Sequence, residues 1–134
     1  MNDLVLVDSS AWIRYLLHPR ESTARVVEAL LATHRVAVNA VIRVELLTGA
    51  RDKRQYTELE DAFGGLHALE ITEAVWRRAE RLRFELRCMG HLVPVPDVVI
   101  ACCALVYGCS VLHVDRHFDR IVHVTTLKIH RGVA

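Results

Sequence analysis

The first constraint on this chain is a set of short, largely apolar runs that stop at a polar residue. Leu4-Val5-Leu6-Val7 ends at Asp8, Val36-Ala37-Val38 ends at Asn39, and Ser110-Val111-Leu112-His113-Val114 ends at Asp115. Runs this short with no polar alternation suit strands buried on both faces, as in a parallel sheet under helices. Ligands of open α/β sheets bind beyond the carboxyl ends of such strands. Asp8 and Asp115 both fall there.

The segments between these runs carry helical patterns. Ser10 to Leu17 reads as a short helix, closed by His18-Pro19-Arg20-Glu21-Ser22, and Thr23 to Ala32 as a second with Ser22 as its cap. Ala40 to Ala50 presents Val41, Val44, Leu47 and Leu46 as an apolar stripe, with Glu45 one turn from its start. Arg51 to Phe63 reads as an exposed charged helix ended by Gly64-Gly65, and His67 to Ile71 as a third strand. Thr72 caps a long amphipathic helix to Cys88, with Val75, Ala79, Leu82 and Leu86 inward and an arginine-rich outer face. After the prolines Pro94 and Pro96, Asp97 opens an apolar segment to Tyr107 closed by Gly108, whose length favours a buried helix. Arg116 to Ile121 is a short helical turn, and Val122 to Leu127 is expected to be a last edge strand.

At 134 residues, 52% of them hydrophobic, the chain is expected to form one domain, residues 1–134, with a real core. A net charge of +1 gives no global attraction to nucleic acid or membrane. No apolar run is long enough to span a bilayer, and the N-terminus lacks the basic stretch and long apolar core of a signal peptide. Cys88, Cys102, Cys103 and Cys109 contain no C-x-x-C pair and read as reduced, mostly buried thiols, so the expected location is cytoplasmic. The expected fold is α/β, with a mostly parallel sheet of four to five strands wrapped by helices on both faces.

In such a sheet the strand ends and the following helix starts share one edge. Asp8 and Asp115 end strands, while Glu45 and Asp97 lie near helix starts, so all four can point into one cleft. Each acid alone has an ordinary explanation: Asp8 and Asp97 as helix caps, Glu45 as a solvated carboxylate helped by the helix dipole. Together they need compensation, because two carboxylates about 4 Å apart repel by roughly 4 kcal/mol at an effective dielectric near 20. Shared protons or a bound cation supply it. All-oxygen ligation suits Mg²⁺ or Mn²⁺, the apparatus of phosphodiester hydrolysis.

Four stretches carry a family resemblance: Val7-Asp8-Ser9-Ser10-Ala11-Trp12, Val44-Glu45-Leu46-Leu47-Thr48-Gly49, Pro96-Asp97-Val98-Val99-Ile100-Ala101, and His113-Val114-Asp115-Arg116-His117-Phe118. In order and spacing, over essentially the whole chain, they resemble the signatures of PIN-domain ribonucleases, most closely the VapC-type toxins of bacterial toxin–antitoxin pairs. The resemblance implies a three-layer α/β/α PIN-like fold and a Mg²⁺- or Mn²⁺-dependent endoribonuclease that hydrolyses single-stranded or loop RNA with metal-activated water. It implies Asp8, Glu45, Asp97 and Asp115 as the catalytic acids, with the metal on Asp8, Asp97 and Asp115. Asp8 and Asp97 would be direct ligands, and Glu45 and Asp115 would orient water or hold a second ion. It also implies an antitoxin partner that blocks the cleft and a toxin homodimer, using an apolar face on the helices of 10–32 or 40–50.

Ser9 matches the hydroxyl residue that commonly follows the first aspartate, a supporting role. Many relatives carry Thr or Ser at the position of His113 and a further Asp at that of His117. His117 is thus a ligand, a supporting donor or a base, or a packing histidine. Arg14, Arg43 and Arg116 lie close in sequence to the acids and are candidate phosphate contacts. The alternatives are a PIN-like RNA-binding module without catalysis and a receiver-like signalling domain. The latter would want paired acids after the first strand and a lysine near the last one, and Lys128 fits poorly.

Overall fold

The computed structural model describes residues 3–131. Among the described residues, four short strands form the sheet: β1 (Val5–Val7), β2 (Val36–Val38), β3 (His67–Ala68) and β4 (Ser110–Leu112). Their order is β3-β2-β1-β4 and every pairing is parallel. The residues of β1 and β2 are fully or almost fully buried, as expected for strands covered on both sides.

Seven helices flank the sheet among the described residues: α1 (Ser9–Leu17), α2 (Ser22–Ala32), α3 (Ala40–Leu47), α4 (Lys53–Gly64), α5 (Glu73–Cys88), α6 (Val95–Tyr107) and α7 (His117–Val124). Chain order explains where the cleft lies. From β1 the chain steps outward to β2 and then β3, and it returns across the sheet to place β4 on the other side of β1. Right-handed crossovers put the outward connections on one face and the return on the opposite face. The reversal falls between β1 and β4, and that is where an α/β sheet opens a crevice.

Local chemistry sets most boundaries. Asp52 caps α4 by accepting from the Gln55 amide at 2.8 Å, and Thr72 caps α5 by accepting from the Val75 amide at 3.4 Å. Gly108 closes α6 in the left-handed conformation, φ +70°. α6 is the buried helix the sequence suggested, with eight consecutive buried residues from Asp97 to Ala104. Val75, Ala79, Leu82 and Leu86 of α5 face the core as expected.

Four expectations need correction. The edge strand expected at Val122–Leu127 is absent: α7 runs through Val124, burying Phe118 and Ile121, and the extra strand-like contact comes later, where Ile129 bridges Val111. The third strand is two exposed residues rather than His67–Ile71. α3 ends at Leu47, not Ala50, and buries Ile42, Leu46 and Leu47 while Val44 faces outward. Ser22 begins α2 rather than capping it; Glu21 holds the cap position. Cys102, Cys103 and Cys109 are buried free thiols, and Cys88 is exposed.

Candidate metal centre

Asp8 leaves β1 and caps α1. It is almost completely buried, at 2% exposure. Its Oδ2 accepts from the Ser10 amide at 3.1 Å and from Ser10 Oγ at 2.6 Å. Its other oxygen, Oδ1, is buried with no hydrogen-bond partner among the described residues. Capping and site membership are therefore not rivals for Asp8: one oxygen caps and the other is left over. A buried carboxylate oxygen without a donor is costly, so it marks a place for a ligand.

Ser10 also ties Asp8 to the far end of the chain. Its Oγ accepts from the Val114 amide at 3.1 Å, while the Asp8 amide donates to Leu112 O at 2.9 Å. Register does the rest, since Val7 pairs with Leu112. Asp115 is thereby held just beyond β4, beside Asp8. Ser10 is the supporting residue that the sequence reading missed. The signal was present, because a hydroxyl two residues after an aspartate is placed to bond its carboxylate.

Asp97 lies in the first turn of α6 and is buried. The cap position is Pro94, so the expected capping role passes to no side chain. The Asp97 carboxylate turns instead to His117, whose Nδ1 stands 2.6 Å from Asp97 Oδ2 and 2.9 Å from Asp115 Oδ1. The His117 amide donates to the same Asp115 oxygen at 3.0 Å. Ligand atoms of Asp97, Asp115 and His117 all lie within 4.8 Å of one another. Glu45 sits on the exposed side of α3, where its Oε1 accepts from Ser9 Oγ at 3.0 Å. Ser9 thus supports Glu45, whereas Ser10 supports Asp8.

The electrostatics couple all four acids. Burial pushes the Asp8 carboxyl above its ordinary value against the Ser10 hydrogen bonds, and Asp115 adds to the rise. Asp97 is raised by burial and by Asp115 and Asp8, with the His117 hydrogen bond opposing. Glu45 is raised by partial burial first, then by Asp8, Asp97 and Asp115, with Ser9 opposing. Such a cluster favours anything that brings positive charge. The donor set of hard carboxylate oxygens, one of them orphaned, together with one imidazole nitrogen fits a divalent cation.

His113 takes no part in that set. Its Nδ1 accepts from the Asp115 amide at 3.1 Å, its ring lies 4.8 Å from the Phe118 ring, and burial lowers its pKa. Of the arginines, Arg14 pairs with Glu21 at 3.2 Å. Arg43 lies over the Phe63 ring at 5.5 Å and lines, with Glu45, an apolar groove of about 820 Å³. Arg116 is exposed between Asp115 and His117.

Residues 5–124 match the PIN domain. The chain belongs to the PIN domain family. Among named relatives of this PIN domain, "Ribonuclease VapC11" of Mycobacterium tuberculosis is 33% identical over 129 residues, covering 93% of this chain and 96% of the relative. "Ribonuclease VapC18" of the same species is 30% identical over 123 residues, covering 89% and 88%. Among solved structures, VapBC2 from Rickettsia felis, bound to a promoter DNA fragment, superposes with a TM-score of 0.78 at 16% identity, covering 95% of this chain and 97% of that one. These likenesses place the α/β/α architecture within the PIN fold and leave the receiver-like alternative without support. Among the described residues of the PIN domain, no helix is long and apolar enough to cross a membrane.

Proposed function

We propose that this PIN domain is a metal-dependent endoribonuclease and the toxin of a toxin–antitoxin pair. The observation that carries the reading is the orphaned, buried Oδ1 of Asp8 in a cluster whose acids raise one another's pKa. Relatives of similar length named as ribonucleases support the choice of reaction.

Asp8, Asp97 and Asp115 hold a divalent cation, Mg²⁺ or Mn²⁺. Bound there, the ion supplies a Lewis acid for a phosphodiester oxygen and lowers the pKa of water. The chain's own residues do the rest. Ser10 fixes Asp8 so that only Oδ1 is offered. Glu45, steadied by Ser9 and raised above its ordinary value by partial burial and the neighbouring acids, orients the attacking water and accepts its proton. Arg43 and Arg116 bind RNA phosphates at the rim. Arg14 serves that role less well, because Glu21 already engages it.

An antitoxin and a second toxin chain are the proposed protein partners. Ile13, Leu16 and Leu17 on α1 and Val44 on α3 are exposed apolar side chains on the helices expected to carry that interface. The free buried thiols suit a cytoplasmic protein.

The test is cleavage of total bacterial RNA by purified protein in Mg²⁺ or Mn²⁺ against EDTA, with Asp8→Asn and Asp97→Asn alongside. Discrete fragments that require metal and vanish in both variants are expected. Wild-type protein that binds the ion yet cuts no RNA would favour the non-catalytic RNA-binding alternative.

A further inference from the structure

We infer that His117 is a direct ligand of the cation, and that its imidazole makes this site select a first-row transition ion such as Mn²⁺ over Mg²⁺. The inference rests on reading the acids as a cation site, but not on RNA cleavage.

Spacing is the first argument. Cis ligands of an octahedral ion with bonds of about 2.1 Å stand about 3.0 Å apart. His117 Nδ1 is 2.6 Å from Asp97 Oδ2 and 2.9 Å from Asp115 Oδ1, so the three atoms already stand near ligand separation. Carboxylate oxygens only accept, so Nδ1 carries the ring proton in this arrangement and holds the two acids together. When an ion enters, Nδ1 gives up its proton while Nε2 bears one, so the ring ligates as neutral imidazole and the Nδ1 lone pair faces the ion.

The second argument is rigidity. The His117 amide is tied to Asp115 Oδ1 at 3.0 Å, and the next residue, Phe118, is fully buried. The backbone that carries the ring is thereby fixed beside Asp115. His113, the other histidine of this loop, accepts from the Asp115 amide and lies outside the converging ligand atoms of Asp97, Asp115 and His117.

The third argument is chemical. Mg²⁺ prefers oxygen ligands and keeps its waters, whereas affinity for nitrogen-containing sites rises from Mn²⁺ along the first row. An imidazole in place of another carboxylate also lowers the site's negative charge, which weakens its hold on Mg²⁺ more than on an ion that binds nitrogen. Asp8 supplies the independent sign that a ligand belongs here, through its unpartnered oxygen at 2% exposure.

The experiment titrates Mn²⁺ into metal-free wild type, His117→Ala and His117→Asp, following free ion by electron paramagnetic resonance, with Mg²⁺ as competitor. Electron spin echo modulation of bound Mn²⁺ reads nitrogen coordination directly. Circular dichroism checks that each variant is folded, and His117→Asp keeps a ligand where His117→Ala removes one.

The expected result is ¹⁴N modulation in wild type that disappears in both variants. Mn²⁺ binding should weaken about 10- to 100-fold in His117→Ala, while Mg²⁺ binding changes by less than about threefold. His117→Asp should bind Mg²⁺ at least as well as wild type. Bound Mn²⁺ without ¹⁴N modulation in wild type, or equal loss of both ions in His117→Ala, overturns the inference and leaves the acid site standing. Absence of binding by either ion to wild type overturns both. Nitrogen-coordinated Mn²⁺ in a protein that cuts no RNA supports the ligand assignment and counts against the nuclease.

Discussion

Ser10 Oγ stands 2.6 Å from Asp8 Oδ2 and at the same time accepts from the Val114 amide at 3.1 Å, so one hydroxyl fastens the acid after the first strand to the loop after the last. Ser10→Ala removes both bonds and leaves the Val114 amide to find another acceptor. The variant should lose about 1–3 kcal/mol of stability, as expected for a hydrogen bond to a charged group. Cleavage should fall about 10- to 100-fold, the usual effect of losing a residue that orients a metal ligand. Ser10→Thr keeps the hydroxyl and should retain most of both. Denaturant melts and initial rates check this, and an unchanged Ser10→Ala would remove the clamp from the account.

The raised carboxyls set the sign of the pH response. Asp8 and Asp97 are raised from 3.8 and Glu45 from 4.5, in each case chiefly by burial. The folded protein therefore holds these protons more tightly than the unfolded chain. That contribution is fully present below the unfolded values and is lost as pH climbs through the raised folded ones. In EDTA, these carboxyls should add stability as pH falls toward their unfolded values, against His113 and His130, whose lowered pKa acts the other way, so the difference in pH slope between wild type and Asp8→Asn reads the carboxyl part. Saturating divalent ion at pH 7.5 should stabilise wild type by about 2.7 kcal/mol at one hundred times its dissociation constant, and Asp8→Asn far less. A wild-type melting temperature that ignores both EDTA and added ion would sink the metal reading.

Phe118 is fully buried, and its ring lies 4.8 Å from that of His113. Phe118→Ala should cost about 3–5 kcal/mol, and Phe118→Leu less than about 1.5 kcal/mol. Chemical denaturation gives both numbers. Near-equal losses would mean that the core beneath the loop after β4 relaxes freely.

Gly108 ends α6 at φ +70°, and a Cβ added there would meet nothing within 4 Å. Gly108→Ala therefore carries only the backbone penalty, about 1 kcal/mol. A melting temperature lower by about 3–6 °C is expected. Gly108→Asn should lose less, because asparagine tolerates this conformation. A larger loss for asparagine than for alanine would contradict the account.

Much of this was legible in the sequence for definite reasons. β1, β2 and β4 announced themselves because strands buried on both faces must be apolar throughout. Asp8 and Asp115 were placed by topology alone, since each follows one of those strands. Val122 to Leu127 misled because its apolar positions fit both periods; burial of Phe118 and Ile121 in one helical stripe decided for the helix. Val44 was misassigned because α3 is short and turns Ile42, Leu46 and Leu47 inward instead. Ser10 and His117 were harder. The Ser10–Asp8 bond had a local signal, but the reach of Ser10 to Val114 and of His117 to Asp97 depends on distant segments having met, which no local pattern encodes.

The sheet order has a consequence for how such a protein comes into being. β4 pairs with β1, so Val5 lies against Ser110 and the loop after β4 can reach Asp8 only once the chain has been made past β4. Contacts this distant in sequence form late, because a long loop must close before they yield any stabilisation. A chain synthesised only as far as α5 therefore holds Asp8 and Glu45 without Asp97, Asp115 and His117.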